Sequence, residues 1–165
     1  MLSERVFRDL MAGVCGPVTV VTTAESGTPF GMTVSAFASL SLDPPLVTVA
    51  IDRRSTLLAA IRRVGRFGVN VLGHEQAATA TAFARRDIDR FAEVAWNLDQ
   101  DLPRLLAAPG WLVCDLDQAV EGGDHLLLIG TVTSADSRTA APLVYGHRTF
   151  GTHSAYAADG LGATA

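Results

Sequence analysis

The stretch Trp111-Leu112-Val113-Cys114-Asp115-Leu116-Asp117-Gln118-Ala119-Val120-Glu121-Gly122-Gly123-Asp124-His125-Leu126-Leu127-Leu128-Ile129-Gly130-Thr131-Val132-Thr133 decides how this chain folds. Trp111 to Val120 and His125 to Thr133 are two long strand patterns, and between them stands the turn signal Glu121-Gly122-Gly123-Asp124. Glycine supplies the backbone freedom of a tight reversal, so the spacing predicts a long antiparallel hairpin. Upstream, the same grammar recurs. Val18 to Thr23 is a β-branched run closed by Glu25-Ser26-Gly27-Thr28-Pro29. Phe30 to Leu42 then alternates small and hydroxylated residues with apolar ones until Asp43-Pro44-Pro45 breaks it, and Leu46 to Ile51 is a further strand. Phe67 to Leu72 and the short Leu143 to Tyr145 complete the set.

Helical patterns are few. From Ser3 to Val14 the residues Val6, Phe7, Leu10, Met11 and Val14 recur at helical spacing, with Ser3 as N-cap and Gly16-Pro17 as terminator. Ser55 to Arg63 starts on a hydroxyl, carries Leu57, Leu58 and Ile61, and ends on Arg62 and Arg63. Glu75 to Ala84 is Ala-rich and helical, whereas Arg85 to Pro109 shows no sustained period and reads as loop with short helical turns. The Gly- and Ala-rich tail from Ala157 is expected to fray. Strands joined by hairpins, with helices confined to insertions, lack the strand–helix alternation of a doubly wound sheet. They predict a mainly β architecture, an antiparallel barrel of Greek-key type with peripheral helices, within one domain of 165 residues.

Composition narrows the function classes. A hydrophobic share of 48% against 18% charged residues is rich for so short a chain and implies surface covered by a second subunit. Thirteen basic against 17 acidic residues, with the arginines scattered, leave no electrostatic footprint for nucleic acid. Cys15 and Cys114 form no CxxC pair and read as small buried hydrophobes in a reducing cytoplasm. The segment Met1-Leu2-Ser3-Glu4-Arg5 has neither the long apolar run nor the charge pattern of a leader or anchor, so a cytoplasmic protein without membrane contact is expected. Gly-x-Gly-x-x-Gly, Gly-x-x-x-x-Gly-Lys and Gly-x-Ser-x-Gly are missing from the sequence. His74-Glu75 lacks a second ligand at Ala78, and the six-residue spacing of His147 and His153 has no regular ligand geometry, so no metal is expected.

Six segments then occur in one order: Gly31 to Leu46 (with Met32-Thr33-Val34-Ser35-Ala36-Phe37-Ala38-Ser39), Ser55-Thr56, Arg66 to Leu72, Asp89-Arg90-Phe91, Gly123-Asp124-His125, and Pro142-Leu143-Val144-Tyr145-Gly146. Together they resemble the short-chain flavin reductases, relatives of the reductase components of two-component flavin monooxygenases, over roughly Phe7 to Gly151. The resemblance implies an FMN-binding split β-barrel that forms a homodimer, passes hydride from NADH or NADPH to FMN or FAD, and supplies reduced flavin to a partner monooxygenase. Members of the family differ in taking FMN, FAD or riboflavin, and no position in the sequence marks the choice.

The residues support that expectation physically. Thr33, Val34, Ser35 and Ala36 offer small side chains, so backbone N–H groups can approach the edge of a flat isoalloxazine; Ser39 follows on the same segment. Ser55 and Thr56 stand at a helix start, where free N–H groups and the dipole attract phosphate, with Arg53 or Arg54 and the family-matched Arg90 adding charge. Plain N-capping and an ordinary exposed arginine are the competing readings. Asn70 interrupts an apolar strand and is either a cofactor contact or a pin of the barrel. Asp124 can orient the ring of His125, which the resemblance places beside the nicotinamide as the catalytic pair. A non-catalytic flavin carrier of the same fold and a split-barrel flavin oxidase remain as alternatives.

Overall fold

The computed structural model describes residues 2–86 and 88–157, so the expectation of a frayed tail, beyond Ala157 itself, lies outside the described residues. In chain order the elements are α1 (Glu4–Ala12), β1 (Gly16–Pro17), β2 (Thr19–Glu25), β3 (Thr28–Val34), β4 (Phe37–Leu42), β5 (Pro45–Asp52), α2 (Thr56–Val64), β6 (Arg66–Val71), a 3₁₀ turn His74–Gln76, α3 (Ala77–Ala84), β7 (Trp96–Asp99), β8 (Leu102–Leu105), β9 (Gly110–Gly122), β10 (His125–Ser137), β11 (Val144–Gly146), β12 (Thr149–Gly151) and α4 (Ser154–Ala157). Among these none is a helix long and apolar enough to cross a membrane.

The main sheet has seven strands in the order β3-β2-β6-β9-β10-β5-β4, every neighbour antiparallel. Its two edge strands, β3 and β4, are consecutive in the chain and joined only by Ser35-Ala36. The sheet therefore curls until its edges meet at that joint, where Ala50 N–H donates to Ala36 O at 3.0 Å. This is the antiparallel split barrel, and it settles the Phe30 to Leu42 run, whose strand count the pattern left open: Ser35 and Ala36 break it into two strands at opposite edges. The β9–β10 hairpin is longer than expected. Bulges between Ile129 and Gly130 and between Val132 and Ser134 bend it around the barrel.

Two apolar clusters divide the interior. Inside the barrel, Val21, Val34, Val49, Ile51, Phe67, Val69, Cys114 and Leu128 pack with Leu57, Leu58 and Ile61 of α2. That helix is amphipathic, and Gly65 (φ 75°) stops it in the left-handed conformation that glycine adopts freely. On the other face, Val18, Val20, Leu72, Ala80, Phe83, Phe91 and Leu105 bring α3 and the following loop against β2. Buried on both faces, β2 hides all of Thr19 to Thr23, and the Thr19, Thr22 and Thr23 hydroxyls donate to carbonyls of Val34, Pro103 and Arg66. A Cβ on Gly68 would meet the Trp111 ring at 2.1 Å, so only glycine lets the indole lie across β6.

The Arg85–Pro109 region departs from expectation, since β7 and β8 form a hairpin there. Gln100 and Asp101 make its turn with φ of 51° and 66°, which residues without the Asn-Gly or Asp-Gly signature seldom adopt, and Pro103 interrupts the strand pattern. Asn70 holds this hairpin to the barrel. Its amide donates to Val20 O at 3.1 Å and Pro103 O at 3.4 Å, and its carbonyl accepts from Leu105 N–H at 2.7 Å. A smaller sheet, β1-β11-β12, also forms: α1 already stops at Ala12 with Gly13 as its C-cap, and Gly16-Pro17, expected to terminate the helix, pairs instead with Tyr145 and Val144. The Asn70→Ala variant is expected to lose about 2–3 kcal/mol of stability by orphaning buried backbone groups; a lowered urea midpoint checks this.

Candidate functional site

The β9–β10 turn and the end of β5 meet at one corner of the barrel. Gly123, at φ 70°, and Asp124 form a two-residue loop between Gly122 and His125, the pattern of a tight hairpin turn opened by glycine. His125 Nδ1 lies 2.8 Å from Asp124 Oδ1, and this bond, with the nearby imidazole, holds the Asp124 carboxyl below its ordinary pKa. The antiparallel register sets His125 directly opposite Asp52, the last residue of β5. Arg53 N–H donates to Asp124 O at 3.0 Å, tying turn to strand.

Asp52 links this corner to α2. Its carboxylate accepts from Arg54 N–H at 2.8 Å and from Arg54 Nε and Nη2 at 3.3 and 3.1 Å. Those bonds from Arg54 draw its pKa down to about 2. Ser55 N–H donates to Asp52 O at 3.0 Å, so the 52–55 turn aims α2 at the same corner. Ser55 occupies the N-cap position, yet its hydroxyl makes no capping bond and lies 3.9 Å from Met32 Sδ. Among the described residues no protein group accepts from the first-turn N–H groups of Thr56, Leu57 and Leu58. A cavity of about 200 Å³ opens there, lined by Met32, Asp52, Arg54, Ser55, Thr56, Arg86 and Arg90. Half-buried Arg90 donates through Nε to Arg85 O at 2.6 Å and through Nη1 to Gly31 O at 2.5 Å. Burial, and then the charge of Arg86, press its pKa below the usual arginine value. An unpaired helix start beside arginines is a receptor for an anion such as a phosphate.

Ser55, Thr56 and Arg90 are thus brought together, and Asp124 and His125 adjoin them through Asp52. The others distribute differently. Thr33 donates its hydroxyl to Ala80 O at 2.6 Å, and Val34 is turned into the barrel core. Ser35 and Ala36 are exposed at the β3–β4 joint with their backbone close to the surface, and Ser39 is exposed on the edge strand β4. Asn70, expected as either a cofactor contact or a pin of the barrel, is fully buried with its amide bonded to backbone partners, the arrangement of a pin. Asp52 and Arg86 escaped the sequence reading. An aspartate two residues before an arginine at a helix start was the available signal for the first, while Arg86 carried none because only the path of the loop after α3 brings it here.

The flavin reductase like domain family model matches residues 11–154. The reductase component of 4-nitrophenol 4-monooxygenase/4-nitrocatechol 2-monooxygenase from Rhodococcus opacus is 38% identical over 150 residues, 91% of this chain and 81% of that protein. A probable flavin reductase of Rhizobium meliloti is 37% identical over 139 residues, 83% of this chain, which spans only 45% of that longer protein. Among solved structures, the Streptomyces globisporus C-1027 NADH:FAD oxidoreductase SgcE6, in complex with NAD and FAD fragments, superposes with a TM-score of 0.88 at 30% identity, covering 93% of this chain and 95% of that one.

Because the folded-state pKa of Asp52 is depressed, its pairing with Arg54 contributes above the ordinary carboxylate value of 3.8 and is lost as pH falls toward about 2. A carboxyl-carbon NMR titration is expected to give a midpoint near the lower value, and Arg54→Ala to raise it part of the way back, since the backbone N–H at position 54 still donates to the carboxylate.

Proposed function

The chain belongs to the flavin reductase-like family, and from that premise we propose that it acts as an NAD(P)H:flavin oxidoreductase, one domain that takes hydride from NADH or NADPH to FMN or FAD and releases reduced flavin to a partner monooxygenase. The carrying observation is the β5–β10 register, which sets an anion pocket and an oriented histidine at one corner of the barrel.

The residues present fit a flavin phosphate: a Ser55 hydroxyl that makes no capping bond and has only a weak sulfur acceptor in Met32, unbonded first-turn N–H groups and a guanidinium clamped between two carbonyls. When bound, the flavin supplies the ring atom that accepts hydride. The chain's task is positioning. Hydride transfer requires no nucleophile; it requires donor and acceptor held about 3–3.5 Å apart with water excluded. Ser55 and Thr56 anchor the phosphate end, and the exposed Ser35-Ala36 backbone, free of bulky side chains, receives the ring edge. With Nδ1–H given to Asp124, a neutral His125 presents Nε2 as an acceptor, suited to the amide N–H of a nicotinamide carboxamide.

We also propose that the working form is a cytosolic homodimer. No residue of α1 is buried, and Val6, Phe7, Leu10 and Met11 are 44–67% exposed on a helix tied to the body through Arg148–Asp9 at 2.7 Å and the His147 N–H to Ala12 O bond. An apolar helical face of that kind is stable once a second subunit covers it. Cys114 is a buried free thiol as expected, whereas Cys15, also expected to be buried, is a free thiol exposed at the surface.

Mixing pure protein with NADH or NADPH and free flavin is expected to produce flavin-dependent loss of nicotinamide absorbance; binding without oxidation would leave a carrier. Replacing His125 by Ala is expected to raise the KM for NAD(P)H or slow hydride transfer with the fold intact. The double variant Ser55→Ala, Thr56→Ala should weaken FMN or FAD binding by about 1–3 kcal/mol, read by calorimetry. Light scattering should report a dimer that Phe7→Asp converts to monomer.

A further inference from the structure

Three cavities follow one another in sequence order along β3. One, of about 390 Å³, adjoins Thr33 and Ser35. The second is the anion pocket at Met32, Ser55, Thr56 and Arg90. The third, of about 180 Å³, lies between Pro29-Phe30-Gly31 and the Ile88–Phe91 segment, and it shares Thr56 and Arg90 with the second. At about 3.3 Å per strand residue, Ser35 to Met32 spans ~10 Å, a reach matching a five-carbon ribityl chain and its phosphoester. A mononucleotide with its ring at Ser35-Ala36 and its phosphate at Ser55-Thr56 would leave the third cavity unused.

We propose that the preferred flavin is the dinucleotide, FAD, with its adenosine end held in the cleft between Phe30 and Ile88. The assignment rests on the flavin reductase reading above and deepens it. The cleft has the chemistry an adenine needs: half-buried Phe30 on one side and exposed Ile88 on the other offer apolar surface to the faces of a flat base. Arg90 spans the boundary between the two cavities. Its Nε and Nη1 are bound to Arg85 O and Gly31 O, which fixes the guanidinium plane and leaves Nη2 for the bridging diphosphate. Arg86 lines the same pocket, and neither arginine has an acidic partner among the described residues, so a second phosphate meets positive charge. The ADP half of NAD(P)H carries the same chemistry as that of FAD. Continuity with the flavin phosphate pocket through Thr56 and Arg90 assigns the cleft to FAD.

Calorimetric titration of the intact protein with FAD, FMN and riboflavin, without nicotinamide, tests this. FAD is expected to bind about tenfold or more tightly than FMN, and FMN more tightly than riboflavin. Ile88→Ser, a change at a partly exposed loop position, should shrink the FAD-to-FMN affinity ratio by about threefold or more, the loss of one apolar contact. In steady state, AMP should compete with FAD and not with NADH. FMN binding as tightly as FAD, an unaltered ratio in Ile88→Ser, or AMP competing with NADH alone would each overturn the assignment. If none of the three flavins bound, the reductase reading itself would fall, and the proposal with it.

Discussion

The antiparallel register of β5 against β10 is the constraint on which the rest of the site depends. It pairs His125 with Asp52 across the strands and continues without a shift to Thr131 opposite Leu46. A slip of one residue would turn every side chain on β10 to the opposite face, moving Leu126 and Leu128 out of the barrel and His125 away from Asp52. Core packing and site geometry are thus set by the same hydrogen-bond ladder. The bulges in β10 lie beyond Ile129 on its β9 side, so the bending of the long hairpin leaves the site end undisturbed.

Asp52 carries that register on to the start of α2. It faces His125 across the sheet and directs Arg54 and the start of α2 by accepting from Arg54. Because this carboxylate spends its charge on Arg54, the positive character left at the pocket belongs to the helix N-terminus, Arg86 and Arg90. The apolar face of α2, through Leu57, Leu58 and Ile61, plugs the barrel and holds the N-terminus in place. Packing energy in the core thereby stabilises a set of unsatisfied N–H groups at the surface, which by themselves would favour water.

On the opposite face, α3, the loop after it and the β7–β8 hairpin form an outer layer closed by Phe83, Phe91 and Trp96, whose rings meet edge to face at centroid distances of 5.0 and 5.2 Å. Gly31 is required beneath them, since a Cβ there would stand 2.7 Å from the Phe83 ring. The same glycine carbonyl accepts from Arg90, so the aromatic layer also sets the height of the guanidinium above β3. Burial raises the Cys114 thiol to about 12, keeping it protonated as a small core hydrophobe, as its place in an apolar strand implied.

Local patterns were enough for the strands with β-branched runs and clean turns, for α2 with its hydroxyl start and basic last turn, and for the pairing of Asp124 with His125, neighbours in the chain. They were also enough for the architecture, because hairpin connections exclude a parallel sheet. They failed where the deciding partner is remote. The β7–β8 hairpin exists because Asn70 and Thr22 on other strands bind its backbone, and the turn at Gln100-Asp101 has no composition that announces it. Phe30 to Leu42 divides in two because the barrel closes at Ser35-Ala36, a property of the whole sheet. Asn70 was ambiguous for the same reason: an amide within an apolar strand must find partners, but whether they are ligand or backbone depends on what folds over it. The sequence by itself determined the hydrophobic periods, turn positions and helix start from which an antiparallel barrel follows, and the ordered segments whose resemblance implied a flavin reductase. The tertiary structure alone decided which polar atoms remain unpaired at the surface, because hydrogen-bond satisfaction is settled between elements distant in the chain.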